Sequence, residues 1–195
     1  MDKVLITGAN SGLGVHLVSK FISEKYKVFE HKGHKHYDLS KHDHIKLLAE
    51  DAKKFKVNIL INNAAIVCPS KKLSLYSESE IRKMVEVNLI APILLSYYLD
   101  SVLTNIVNIN SMVGLEHKSP RTLYSATKWG LRGFSQSLKL ESKIKILDVY
   151  PTNIKTSLDK INAMDVNMVA NKIFNSFKNN ETELILDGRP KINKI

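Results

Sequence analysis

The chain has 195 residues, 44% of them hydrophobic, and carries 29 Lys and Arg against 19 Asp and Glu, a formal net charge of +10. One cysteine, Cys68, excludes a disulfide framework and a cysteine-built zinc site and reads as a reduced, inert thiol. No apolar stretch approaches the roughly 20 residues of a bilayer crossing, and the basic residues are spread rather than blocked. The charge therefore argues for a solvated surface that draws in an anionic ligand, with no nucleic-acid partner and no membrane. A cytoplasmic protein is the expectation.

Val4-Leu5-Ile6 opens the chain as a strand. Leu13, Leu17, Phe21 and Ile22 fall near i, i+4, i+8 and predict a helix over Leu13–Lys25. A second strand follows over Tyr26–Glu30, an amphipathic helix over Ile45–Phe55, and a continuous apolar strand over Val57–Ile61, of the kind buried in parallel sheets. Ser79–Tyr98 is a long helical stretch. Strand Ile106–Ile109, helix Tyr124–Leu140, strand Ile144–Val149, helix Asp165–Phe177 and strand Glu183–Leu186 complete the chain. This alternation predicts an α/β fold, a Rossmann-type doubly wound parallel sheet in three α/β/α layers, formed by residues 1–195 as a single domain. One edge is shortened around residues 32–42. Only seven residues separate Glu30 from Asp38-Leu39, too few for an ordinary parallel crossover, so the third strand is either a short edge piece or missing.

Directly after the first strand comes TGANSGLG, Thr7, Gly8, Ala9, Asn10, Ser11, Gly12, Leu13 and Gly14. Its glycines permit a sharp turn and close approach of a pyrophosphate, and the helix that follows presents free N–H groups and its positive dipole end to that anion. The spacing is GxxxGxG, and no Gly-Lys-Ser/Thr ends it as in a P-loop. Farther on, Tyr124 and Lys128 stand at i, i+4 on one helix face. A tyrosine serves as acid or base in carbonyl–alcohol chemistry if its pKa, near 10 when unperturbed, is drawn toward neutrality, and a fixed ammonium favours the phenolate. Ser111 follows the strand Ile106–Ile109, at the edge where α/β sheets bind ligands.

TGxxxGxG at the N-terminus, Asn62-Asn63-Ala64-Ala65, Asn88, Ser111 and YxxxK at 124–128 resemble, in that order and at similar spacing, the short-chain dehydrogenase/reductase family in its GxxxGxG branch. The resemblance runs from Val4 to about Thr156. It implies NAD(P)(H)-linked oxidation or reduction of a small alcohol or carbonyl. It makes Tyr124 the acid/base, Lys128 the residue that lowers its pKa and binds ribose, Ser111 the partner of the substrate oxygen, and Asn88 the holder of a helix kink and a proton relay. By the same resemblance the glycine turn binds the cofactor together with Asp38-Leu39, Asn62, Asn63, Ala64 and Ala65 (the last replacing a glycine), and with Pro151, Thr152, Ile154 and Thr156 of PTNIKT. A homo-oligomer, dimer or tetramer, is implied as well.

For cofactor choice, the position usually acidic in NAD enzymes falls on Lys32, with His31 before it, and two basic groups there favour NADP(H) over NAD(H). Glu30, two residues earlier, and Ser11, where NADP-specific relatives carry a base, count against that. Five histidines lie between 31 and 44, with His34 and His36 alternating as on one strand face, but their pattern lacks a known ligand geometry and no metal site is expected. Only Ser157–Met164 separate Thr156 from the last helix, so the substrate lid is small. The rival readings are an NADP-binding regulator without turnover, and a nucleic-acid-associated protein supported by charge alone.

Overall fold

The computed structural model describes residues 1–67, 70–155 and 163–189; Cys68, Thr156 and most of the Ser157–Met164 lid lie outside them. β1 (Lys3–Ile6), β2 (Lys27–Glu30), β3 (Ile59–Asn62), β4 (Asn105–Ile109), β5 (Lys145–Pro151) and, at the chain's far end, Glu183–Leu186 form one six-stranded sheet, every neighbouring pair parallel. Two further short strands, β6 (Ile154–Lys155) and β7 (Met164–Asp165), pair separately, so Glu183–Leu186 is β8 and the main sheet runs β2-β1-β3-β4-β5-β8.

Alternation along each strand assigns its residues to two cores. Val4, Ile6, Ile59, Ile61, Val107, Ile109, Leu147 and Val149 pack beneath α1 (Gly12–Ser23) and α6 (Val166–Lys178). Leu5, Leu60, Ile106 and Ile146 face the other way, with α2 (His42–Phe55) and α4 (Ala91–Leu99), and Leu138 of α5 (Thr122–Glu141) closes that side. The result is the three-layer, Rossmann-type arrangement that the strand–helix alternation predicts.

Two details depart from the predicted elements. First, β2 is the outermost strand: residues 34–36 form a turn and Asp38-Leu39 a loop leading into α2, so the third strand is missing. Seven residues have no room for a crossover helix. His34 and His36 therefore lie in a turn and share no strand face. Second, the long helix expected over Ser79–Tyr98 is divided into α3 (Glu78–Val85) and α4 by a π-helical turn, Glu86–Ile90. Pro92 sits at the start of α4 and has no N–H to donate four residues back, to the carbonyl of Asn88.

A polar chain crosses the second core beneath α5. Asn62 donates to Asn108 Oδ1 (2.8 Å); Asn108 donates to Ser135 Oγ (2.8 Å) and to Asp148 Oδ1 (3.4 Å). The Asp148 carboxylate, fully buried, is ion-paired to Lys139 Nζ at 2.8 Å. Asn62, Asn108 and Asp148 share one sheet face, so α5 is fastened to β4 and β5 by hydrogen bonds, and through Asn108 to β3, as well as by apolar contact.

Candidate active site

Four strand ends, those of β1, β3, β4 and β5, converge on the edge where such sheets hold ligands. At β1 the backbone enters the left-handed region at Gly8 (φ 64°) and Gly12 (φ 51°), which glycine tolerates without strain. Gly14 is required by space: a Cβ there would stand 2.0 Å from the Gly8 carbonyl oxygen. Ser11 occupies the N-cap of α1 without capping it through its side chain, so the first N–H groups of the helix are offered outward. The side chain of Leu13 is buried in the core, leaving its backbone at the turn, and Asn10 is exposed beside Gly33.

Three residues expected to face a cofactor turn inward. The buried Thr7 hydroxyl donates to the Ile61 carbonyl and accepts from the N–H groups of Asn63 (2.9 Å) and Ala64 (3.0 Å). Asn63 returns its amide to the carbonyls of Thr7 and Gly8, at 2.8 and 3.1 Å. Asn62 is buried in the sheet against Asn108. These side chains brace the glycine turn against β3 and have little left for a ligand. Ala65 is exposed and avoids positive φ, so the methyl that replaces glycine fits.

Ser111, in extended backbone at the end of β4, caps a 3-10 turn over Met112–Gly114 through its hydroxyl (3.4 Å to Val113 N). Tyr124 and Lys128 lie on α5, the lysine Nζ 5.8 Å from the centre of the tyrosine ring and donating to the Ile109 carbonyl at 2.8 Å. Asn88 is buried in the π turn. Its amide accepts from Ile66 N (2.7 Å), donates to Ile66 O (3.0 Å) and reaches Thr127 Oγ1 (3.4 Å), tying the segment after β3 to α5. Asn88 is thus a positioning residue whose side chain is already satisfied. Past β5, Pro151 is buried, and Thr152 bonds Leu186 O (3.3 Å) and the Gly188 N–H (2.9 Å) rather than an outside group; Ile154 lies in β6.

A family model described as short chain dehydrogenase matches residues 33–166. The chain belongs to the short-chain dehydrogenase family. It is 33% identical over 188 residues to a 3-oxoacyl-[acyl-carrier-protein] reductase of Buchnera aphidicola and 27% identical over 188 residues to an uncharacterized oxidoreductase of Listeria monocytogenes, in each case covering 80% of this chain and 75% of the relative. Of two other oxidoreductases that it matches, it spans 57% and 64% of the length. An alcohol dehydrogenase from Thermococcus sibiricus shares the fold, with a TM-score of 0.84 at 20% identity over 98% of this chain and 100% of that one.

The electrostatics of this short-chain dehydrogenase differ from the simple expectation for its Tyr-Lys pair. Loss of water raises the Tyr124 pKa above its ordinary value; the nearby Ser111 hydroxyl and the Arg121 charge act against this without overturning it. Burial also pulls Lys128 down to about 8. The polypeptide alone therefore keeps the phenol protonated: the Lys128 ammonium, 5.8 Å from the ring centre and bonded to the Ile109 carbonyl, does not bring it below its ordinary value.

His31 requires a further correction. It is buried, Nδ1 accepts from the Gly8 N–H (3.1 Å), and Nε2 stands 2.8 Å from the Tyr37 carbonyl. An acceptor Nδ1 and a donor Nε2 define the neutral tautomer. Burial lowers its pKa, the Tyr37 hydrogen bond and the Asp38 charge opposing. His31 is therefore an uncharged strut of the glycine turn rather than a cation for a phosphate. Lys32 is ion-paired to Glu30 there, at 3.3 Å. Asp38 is engaged by Ser40; burial acts upward on its carboxyl, but those hydrogen bonds, Lys83 and Lys41 leave its pKa lowered, and Leu39 is buried.

A depressed histidine pKa means that the unfolded chain takes up a proton below about 6.5 while the fold refuses it, so stability falls as pH drops through that value. Thermal melts should show this slope in the wild type and not in His31→Leu, which should also melt lower because it leaves the Gly8 N–H unpaired, a cost of about 1–3 kcal/mol.

The motif reading passes over two neighbours of the pair. Asn110 accepts from Ser111 N (2.9 Å) and donates to Lys128 O (3.2 Å), joining the segment after β4 to α5. Its signal is a polar residue ending a buried strand. Arg121, at the N-cap of α5, is the other.

Proposed function

We propose that the chain works as one domain, transferring hydride between NADP(H), in preference to NAD(H), and a small carbonyl or alcohol. The observation that carries this reading is the grouping of the Tyr124 phenol, the Ser111 hydroxyl and the buried Lys128 at the strand-end edge that also carries the glycine turn. The residues fit a dinucleotide: the turn has the bare backbone that a Cβ at Gly14 would fill, and an uncapped helix start for a pyrophosphate. When bound, the nicotinamide supplies or takes the hydride.

The protein's own part is proton and charge management. With its pKa raised, Tyr124 holds its proton at neutral pH and can give it to the oxygen of a carbonyl under reduction. Ser111 donates a hydrogen bond to that same oxygen and steadies its growing charge. Lys128, cationic below about pH 8, offsets the charge that Tyr124 acquires as phenolate. Asn88 has its place in a relay: Pro92 cannot donate to its backbone carbonyl four residues back, and that carbonyl is the acceptor through which a water could return the proton.

One feature supports NADP(H): Lys32 stands where a discriminating carboxylate is usual, and its ammonium compensates Glu30, 3.3 Å away. The test is consumption of NADPH and of NADH against a panel of aldehydes, ketones and quinones. At least about a tenfold higher kcat/KM with NADPH is expected, the worth of one charge-assisted hydrogen bond. A preference for NADH would overturn the cofactor assignment; NADPH binding without turnover of any carbonyl would favour a regulator instead.

A further inference from the structure

Between Ser111 and Tyr124 the chain carries one carboxylate, Glu116, and three residues able to bear positive charge, His117, Lys118 and Arg121. The acid is already taken: Arg189, just past β8, holds Glu116 with two bonds of 2.8 Å and also binds Asp187. Among the described residues, no hydrogen bond or ion pair engages the Arg121 guanidinium, although the residue is partly buried.

The position of Arg121 is unfavourable for folding. It is the N-cap of α5, at the positive end of the helix dipole. It makes no side-chain cap, and the first turn holds no acidic residue to balance it. A cation at that end works against the helix dipole, and Arg is a poor cap besides. The same residue sits three positions before Tyr124, close enough for its charge to be felt at the phenol. A partly buried arginine three positions before the reacting group, without a partner among the described residues and in a place that costs the helix stability, calls for an anion supplied from outside.

We propose that Arg121 binds an anionic group of the substrate, so that the site selects carbonyl compounds carrying a carboxylate or phosphate near the reacting carbon. This rests on the oxidoreductase reading above and names its substrate class. The guanidinium fork pairs with two oxygens of either anion at once, which a lysine does less well.

The experiment compares acetoacetate with its uncharged methyl ester, which have the same reacting ketone, in the wild type, Arg121→Ala and Arg121→Lys. The wild type is expected to favour the acid in kcat/KM. In Arg121→Ala the acid-to-ester ratio should fall about 10- to 100-fold, the worth of a hydrogen bond to a charged group, mainly through KM for the acid; Arg121→Lys should recover part of it. An unchanged ratio, or a wild type that favours the ester, overturns the proposal. Calorimetric binding of acetoacetate to the wild type and to Arg121→Ala, with oxidised NADP present, provides a readout free of turnover. Binding that weakens in the variant without any turnover supports Arg121 as the anion site while the oxidoreductase reading fails. Equal binding, or none to the wild type, refutes the anion site. A phosphonate analogue of acetoacetate measured in the same way tells carboxylate from phosphate selectivity.

Discussion

Tyr124→Phe is expected to lower kcat/KM by roughly a thousandfold, within the range that a positioned acid/base contributes, while NADPH binding stays within about twofold of the wild type. The substitution removes one oxygen and keeps the ring. Lys128 and its bond to Ile109 are untouched, so the fold has little reason to change. The loss should appear mainly in kcat, because the phenol's contribution is made as the substrate oxygen takes up charge and not before. A variant that kept more than a tenth of the wild-type rate would remove Tyr124 from the chemistry, and the Ser111 hydroxyl would be the next donor to test.

Lys128→Met should give a second large loss of turnover, and with it a gain in stability. At neutral pH the fold keeps a buried ammonium whose pKa is pulled from 10.5 to about 8 by burial, and holding it charged costs about 3 kcal/mol. Met fills similar space without that cost but leaves the Ile109 carbonyl short of one donor, which takes back about 1 kcal/mol. The net gain of about 2 kcal/mol corresponds to a melting temperature roughly 4–8 °C higher at pH 7 for a chain of this size. The sign of the pH dependence follows from the lowered pKa. Between pH 8 and 10.5 the unfolded chain binds a proton at Lys128 that the fold does not, so the wild type gains stability as pH rises and the advantage of the variant shrinks. A variant less stable than the wild type at pH 7 would mean that Lys128 is solvated or paired more fully than its burial implies. Stability withheld at the reacting centre is a common accompaniment of function.

The architecture was readable because it is written in short-range patterns. Apolar runs of strand length, helical periodicity and glycines at positions 8, 12 and 14 are local signals, and the Tyr124–Lys128 spacing fixes a shared helix face by geometry alone. The missing third strand was legible as a shortage of residues between Glu30 and Asp38, though not which of two outcomes it produced. What escaped were properties set by partners far along the chain. His31 looks like a cation until the Gly8 N–H and the Tyr37 carbonyl take both of its ring nitrogens. Thr7 and Asn62 look like ligand contacts until Thr7 pairs with the segment that follows β3 and Asn62 with Asn108 of β4. The direction of the Tyr124 shift depends on burial and on where the lysine head points, and neither is encoded by a four-residue spacing. The interruption at Asn88 was detectable in principle, from Pro92 four positions later.

The hydrogen-bonded chain beneath α5 has a consequence for how the sheet assembles. Parallel strands rich in Ile, Leu and Val can slide along one another at little energetic cost, since one aliphatic side chain replaces the next. A slip of one residue in β4 or β5 would carry Asn108 or Asp148 to the opposite face, into the cluster of Val107, Leu147 and Val149, as a bare amide or an unpaired carboxylate. Breaking up a buried charge pair in that way costs about 3–5 kcal/mol, a large share of the whole stability of an ordinary domain. Asn62, Asn108 and Asp148 therefore act as an error check, accepting one alignment of three central strands and rejecting its neighbours before the strand ends meet to build the site.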